Sequence, residues 1–249
     1  MIINQIVSGG GSAPAHYIEK VVDGNGDLTA GTTMFNWVGV KKVSQPYAFS
    51  HAYDGSVISG NITVGDKTEA YGTSCFTYMF TNCPNITSIK ISIEKLSGAT
   101  CMQNFCSLCT NLVSVDWDDL KSVTGNNTCW TVFSSCSKLK TVSLNGLEEI
   151  TTPLAPSYGQ MVSSCTNLES ISFGGLKSST FSGRQDQIQY LFNSSTGSTA
   201  TGGCTVHFPS NFDPSDPNHT FDASTLTGYP TFGGNASYIH VAFDLPATE

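Results

Sequence analysis

Apolar and polar residues alternate along this chain in short bursts rather than in helical stripes. Four bursts repeat, each opened by a cysteine: "CPNITSIKISIEKLSG" from Cys83, "CTNLVSVDWDDLKSV" from Cys109, "CSKLKTVSLNGLEEI" from Cys136 and "CTNLESISFGGLKSS" from Cys165. Successive cysteines lie 26, 27 and 29 residues apart. Three residues after each stands Ile86, Leu112, Leu139 or Leu168. Six after stands Ile89, Val115, Val142 or Ile171, and eight after stands Ile91, Trp117, Leu144 or Phe173. Eleven after comes Leu120, Leu147 or Leu176, with Glu94 breaking the first copy. The pattern is L-x-x-[VI]-x-[LWF]-x-x-L, whose centre has the period-two alternation of a strand with one buried face.

An apolar pair precedes each cysteine: Met79–Phe80, Phe105–Cys106, Val132–Phe133 and Met161–Val162. A turn of α- or 3₁₀-helix is expected there, on the opposite side of the coil. A decayed fifth copy follows, with Ser195 of "LFNSS" in the cysteine place and "CTVHF" from Cys204 as its strand. A leading copy begins at Phe49–Ala52, with Ile58, Ile62 and Val64 behind it. No single unit can bury its apolar face alone, whereas stacked neighbours can, so the array predicts a solenoid. The fold class expected is α/β or mainly β: about five coils with a parallel sheet on one face and caps at both ends. The boundaries expected are a hairpin or cap over 1–46, repeats over 47–209, and a Pro/Gly-rich segment over 210–249 that ends in the strand "SYIHVAFDL".

"MFTNCPNITSIKI", "VFSSCSKLKTVSLNGLEEI" and "MVSSCTNLESISF" resemble the BspA-like leucine-rich repeats of bacterial surface proteins. Their motif is an aromatic residue, two residues, Cys, two residues, Leu, then an I-x-L strand. The resemblance covers roughly Phe49 to Pro209. It implies a non-enzymatic adhesion or interaction module that binds a protein or glycan at the cell surface. The opening "MIINQIVSGGG…AHYIEKVVDGNG" resembles the start of structural proteins encoded by prophages of gut bacteria. That implies the alternative, a structural or attachment component of a prophage-encoded particle. The first 20 residues have neither the basic n-region nor the apolar run of a signal peptide.

Charge narrows the partners. The net charge is -8, and only 11 Lys and Arg are present, too few for a phosphate-binding stripe, so nucleic acid is not expected. No stretch approaches the ~20 apolar residues of a membrane helix, so insertion in a membrane is not expected either. Homo-oligomerisation is compatible with the pattern.

Catalytic and metal motifs fare poorly. Cys101, Cys106 and Cys109 have the C-x₄-C-x₂-C spacing of a plant-type ferredoxin. The repeat already accounts for Cys109, however, and Phe105 and Leu108 are bulky for a cluster loop. "DGNGD" at Asp23–Asp27 spaces its acids like a calcium loop, but the twelfth position is Met34, and Asp-Gly and Asn-Gly are hairpin-turn signals. No nucleophile elbow, zinc-binding helix motif or P-loop is present. No catalytic residue, metal or cofactor is therefore expected.

The cysteines at 83, 109, 136 and 165 are expected to form a buried, reduced ladder, and Trp117 to be core. Residues five, seven and nine after each cysteine should face outward as a polar sheet surface: Ser88, Lys90, Ser92; Ser114, Asp116, Asp118; Thr141, Ser143, Asn145; Ser170, Ser172, Gly174. A ligand on that face would meet Lys90, Asp116, Asp118, Ser143, Asn145 and Ser172, with Asp116, Asp118, Ser143 and Asn145 at its centre.

Overall fold

The computed structural model describes residues 21–22, 28–30, 37, 39–55, 59–152, 160–181 and 185–249. The chain is mainly β and forms a parallel β-solenoid. Strands β1 (Val21–Val22) and β2 (Leu28–Ala30) make a separate antiparallel pair. The Asp23–Asp27 segment between them lies outside the described residues, as does Ile58.

The main sheet contains β3 (Lys42–Val43), β4 (Ser59–Ala70), β5 (Asn85–Leu96), β6 (Ser114–Asp116), β7 (Ser122–Val123), β8 (Thr141–Ser143), β9 (Glu149–Ile150), β10 (Ser170–Ser172), β11 (Cys204–Pro209) and β12 (Ile239–Leu245). Its order is β12-β11-β10-β8-β6-β5-β4-β3, with β7 bridging β5 and β9. Every pairing in it is parallel. Ile89 pairs with Val115, Val115 with Val142, Val142 with Ile171, Ile171 with Val206 and Val206 with Val241. The alternation read from the sequence is thus the register of the sheet. Lys42–Val43 and Ile239–Leu245 both belong to it, so the sheet extends past 47–209 at either end.

Coils come in two shapes. In β5 the strand runs straight from Asn85 to Leu96. In the next coils it breaks at a corner, where the N–H of Leu120 bonds to the carbonyl of Trp117 and that of Leu147 to Leu144. Glu94 stands where those coils place a corner leucine, and without that corner Ile93 joins the core instead.

The pre-cysteine segments are not helical. They form a ribbon of overlapping β-turns. Within one coil the N–H groups of Cys75, Thr77, Met79 and Thr81 bond to the carbonyls of Gly72, Ser74, Phe76 and Tyr78. The intervening N–H groups of Ser74, Phe76, Tyr78, Phe80 and Asn82 cross to Ala99, Cys101, Gln103, Phe105 and Ser107 of the next coil. A helix would keep all its hydrogen bonds within the segment, whereas this ribbon uses half of them to join coils. Its geometry requires a left-handed residue at every fourth position: Ser74, Tyr78 and Asn82, then Thr100, Asn104 and Leu108, with φ between 50° and 60°. Tyr47 and His51 start the same rhythm one coil earlier.

Between sheet and ribbon lies one continuous core, in which Phe76, Phe80, Phe105, Trp117, Phe133 and Phe173 are fully buried. Equivalent aromatic rings stack from coil to coil: Phe49 on Phe76 at 5.4 Å and Tyr53 on Phe80 at 5.3 Å, both within 8° of parallel. Trp117 donates its indole N–H to the Ile93 carbonyl at 3.2 Å and meets Phe133 edge-on, so it is core as expected. All nine cysteines are free and buried.

The repeat cysteines have a specific task. Each donates its thiol to a backbone carbonyl one coil back: Cys83 to Tyr53 at 3.0 Å, Cys109 to Phe80 at 3.0 Å, Cys136 to Cys106 at 3.1 Å and Cys165 to Phe133 at 3.0 Å. In the next coil it is Thr196, not Ser195, that takes this place. Its hydroxyl bonds to the Val162 carbonyl at 3.1 Å from a fully buried position, while Ser195 is half-buried and bonds to Asn193. Cys75, Cys101 and Cys129 lie in the core at the start of successive ribbons and influence one another electrostatically. Cys106 and Cys109 touch each other at 3.0 Å. The three cysteines with ferredoxin-like spacing are thereby divided between two thiol groups.

Candidate functional site

The outer sheet face is assembled by register alone. On each short rung the central residue points inward and its two neighbours outward. Lys90, Asp116, Ser143, Ser172 and His207 therefore stand side by side on five adjacent strands. The corner that follows β6 and β8 adds Asp118 and Asn145. All six residues expected to meet a ligand are brought together on this one face.

They bond mainly to one another. Lys90 Nζ lies 3.5 Å from Asp116 Oδ2, with both side chains about half exposed. Such a pair contributes ~0–1 kcal/mol. Asp118 Oδ1 accepts the Ser143 hydroxyl at 2.5 Å and the Asn145 N–H at 2.8 Å. Asn145 Oδ1 in turn accepts the Gly174 N–H at 2.8 Å, and its Nδ2 donates to Ser143 Oγ at 2.8 Å. Ser172 Oγ reaches Ser143 Oγ at 3.4 Å. Asp118 and Asn145 thus cap the corner N–H of the coil above. They hold the corners in line, and they also organise the centre of the polar face around Ser143.

Ser92 does not belong to this face. It is buried, donates to Asp119 Oδ2 at 2.7 Å and accepts the Lys67 N–H at 2.9 Å. The straight course of β5 through the corner region carries position 92 beneath the neighbouring chain.

Beside Asn145 the surface dips into a shallow depression of about 230 Å³, bordered by Lys121, Glu148, Lys177 and Thr248. Glu148 bridges Lys121 at 3.8 Å and Lys177 at 3.0 Å. The volume falls below the ~300–1,000 Å³ of ordinary small-molecule pockets. Farther along the sheet, His207 Nδ1 contacts Asp244 Oδ1 at 2.8 Å.

The ribbon presents a second surface that the sequence did not reveal. Its left-handed residues, apart from the buried Ser74, are exposed or half-buried, and several stack between coils. The His51 ring lies on Tyr78 at 4.6 Å and 11° from parallel, and Thr131 Oγ1 bonds to Asn104 Oδ1 at 2.7 Å. Tyr47 is 64% exposed and Leu108 48%. Tyr and Leu carry no signal for left-handed backbone, whereas His51, Asn82, Asn104 and Asn127 are of types that favour it, so the available signal was those residues together with the spacing of four. Two glycine columns were also missed. A Cβ on Gly98 would meet the Gly72 oxygen at 2.2 Å, and one on Gly146 the Asp118 oxygen at 1.8 Å. The recurrence of Gly72, Gly98 and Gly125 three or four residues before Cys75, Cys101 and Cys129 was the available signal.

Burial makes several of the thiols unfavourable to ionise, whereas the hydrogen bond with Cys106 pulls Cys109 the other way. Burial pushes Cys129, Cys165 and Cys204 up to about 12 from the usual 9.0. At Asp213 and Asp222 the opposite holds, because bonds from Ser215 and Ser224 favour the carboxylate. Among the described residues no His, Cys, Asp and Glu side chains converge as a metal-binding group, and no helix is long and apolar enough to cross a membrane. Compared with known proteins, the chain matches no family model, no curated protein and no solved structure.

Proposed function

We propose that this solenoid is a non-enzymatic interaction module that holds a polar partner, a protein or a glycan, against its outer sheet face. The observation that carries this reading is the in-register row Lys90–Asp116–Ser143–Ser172 with Asp118 and Asn145 beside it. Five of the six side chains take part in a fixed hydrogen-bond or ion-pair lattice with their neighbours, and Ser172 extends it. A surface ordered before binding loses little side-chain entropy when a partner arrives. Hydroxyl, amide and carboxylate groups match the donors and acceptors of a sugar or of a polar protein surface. The face lacks the Trp, Tyr and Arg anchors of tight protein interfaces, which favours the glycan. The resemblance to surface-protein repeats supports an adhesive role at a cell surface. The second reading, a component of a prophage-encoded particle, is favoured by β12, the end strand of the sheet among the described residues, whose edge suits assembly.

The test compares the parent with folded Ser143→Arg on a glycan array and against immobilised extracellular proteins. Loss of a parental signal in Ser143→Arg supports the sheet face. A signal that survives Ser143→Arg but disappears in Tyr78→Ala moves the site to the ribbon. A parent that binds nothing in either format overturns the reading.

A further inference from the structure

We infer that the edge of β12 pairs with the β12 of a second copy, antiparallel and centred on Ala242, joining two solenoids end to end. β12 is the last strand of the sheet among the described residues. The Cys204 N–H bonds to the Tyr238 carbonyl, and Cys204 pairs with Ile239. In a parallel ladder backbone groups alternate in direction. Residues 240 and 242 therefore turn theirs toward β11, and Val241 turns its own to the edge; the register shifts beyond Ala242, before Leu245.

That edge has little of the usual protection: its one irregularity is a register shift against β11 between Ala242 and Leu245. Exposed edge strands are normally blunted by lysine, proline or a bulge that twists them away. "IHVAFDL" contains no lysine, proline or glycine. The core is also unfinished there. Val206 and Phe208 on β11 are fully buried, whereas their counterparts Val241 and Phe243 are only half-buried.

The sequence of the strand selects its occupant. Around Ala242 it reads the same in both directions by chemical type: apolar, polar, apolar, small, apolar, polar, apolar. In an antiparallel pair centred on Ala242, Val241 lies opposite Phe243 of the second copy, and these pairs exchange the backbone hydrogen bonds. Their side chains meet on the core side and extend both cores into one. On the outer face each exposed His240 comes opposite an Asp244, and a histidine N–H donates to a carboxylate in either protonation state. Asp244 already stands on that face, held by His207 at 2.8 Å. Ala242 lies opposite itself as a non-hydrogen-bonded pair, the arrangement in which Cα atoms approach to ~4.5 Å.

The experiment is sedimentation of the full chain combined with cysteine cross-linking. The parent is expected to run at twice 26.5 kDa at about 100 µM and to dissociate on dilution. His240→Asp, which places two carboxylates together, is expected to be monomeric. The double variant His240→Asp with Asp244→His is expected to recover the dimer. Ala242→Cys should cross-link to a dimer under mild oxidation, because ~4.5 Å suits a disulfide, while His240→Cys should not. The native cysteines are buried and do not compete. A parent that stays monomeric and an Ala242→Cys that stays uncross-linked would overturn the inference. So would a dimer indifferent to His240→Asp, or His240→Cys cross-linking as readily as Ala242→Cys.

Discussion

The thiol of Cys136 donates to the carbonyl oxygen of Cys106, 3.1 Å away and one coil back. Cys83, Cys109 and Cys165 make the same bond to Tyr53, Phe80 and Phe133. Among the described residues no backbone N–H bonds to the carbonyls of Phe80, Cys106 or Phe133, so the thiols supply their partner. The repeat cysteine is thus a small core residue that carries one donor. Cys136→Ala should lose about 1–3 kcal/mol, the usual cost of an unpaired buried polar group. Cys136→Thr should lose less, because Thr196 already performs the task in its own coil. Cys136→Asp should melt the coil. Urea midpoints of the three variants check the order, and an alanine variant as stable as the parent would remove the thiol from this role.

Trp117 fills the core between β6 and the ribbon and is fully buried. Trp117→Ala should cost about 3–5 kcal/mol and leave the Ile93 carbonyl without its indole donor. Thermal melting of the variant measures it. A melt equal to that of the parent would mean that the indole lies elsewhere.

Gly98→Ala should destabilise more than its size suggests. The new methyl would stand 2.2 Å from the Gly72 oxygen and 2.7 Å from its carbonyl carbon, both of them backbone atoms of the stacked coil. Relief requires the coils to separate, so the loss should equal or exceed the ~1–3 kcal/mol of ordinary overpacking. Hydrogen exchange should show faster opening at Gly72–Cys75 and Gly98–Cys101 and unchanged protection around β10. Uniform protection would contradict the glycine column.

Alkali should unfold the solenoid through its thiols. Burial raises Cys129, Cys165 and Cys204 to about 12 in the folded chain, against 9.0 for an ordinary thiol. A raised value means that the folded state keeps its proton longer. The stability is complete below pH 9 and falls as pH climbs from 9 toward 12, by up to ~1.4 kcal/mol per pH unit for each thiol. Melting temperatures should be level between about pH 7 and 9 and drop steeply beyond. Cys165→Ala should have a shallower drop than the parent, and an identical slope would assign the effect to other groups.

Much of this architecture was written in the alternation of residues 83–176. Ile89, Val115, Val142 and Ile171 are both the periodic positions of the sequence and consecutive partners in the sheet. The ribbon was not legible, because an adjacent apolar pair such as Met79–Phe80 fits a helical turn as well as a turn ribbon. Only the hydrogen bonds of neighbouring coils decide between them, and those are remote in sequence. Ser195 was placed by alignment, one residue from the buried hydroxyl that replaces the thiol. Ser92 was misplaced because a period-two reading carries every strand through the same corner, and β5 has none. The outer face was legible residue by residue, but the capping of Asn145 by Asp118 depends on how closely two corners approach.

The ribbon counts residues strictly, so changes in length collect outside it: at the corner, where Leu96 follows Cys83 by 13 residues but Val123 follows Cys109 by 14, and at the junction that leads from the paired strands into the ribbon. Ala70 precedes Met79 by nine residues, Leu96 precedes Phe105 by nine, and Val123 precedes Val132 by nine. Ile150 precedes Met161 by eleven, yet Val142 still pairs with Ile171 and the Phe133 N–H still meets the Met161 carbonyl. That junction is therefore a port. Foreign loops could be grafted between Ile150 and Met161 without resetting the phase of anything above or below, and deletions of one residue inside a ribbon could not.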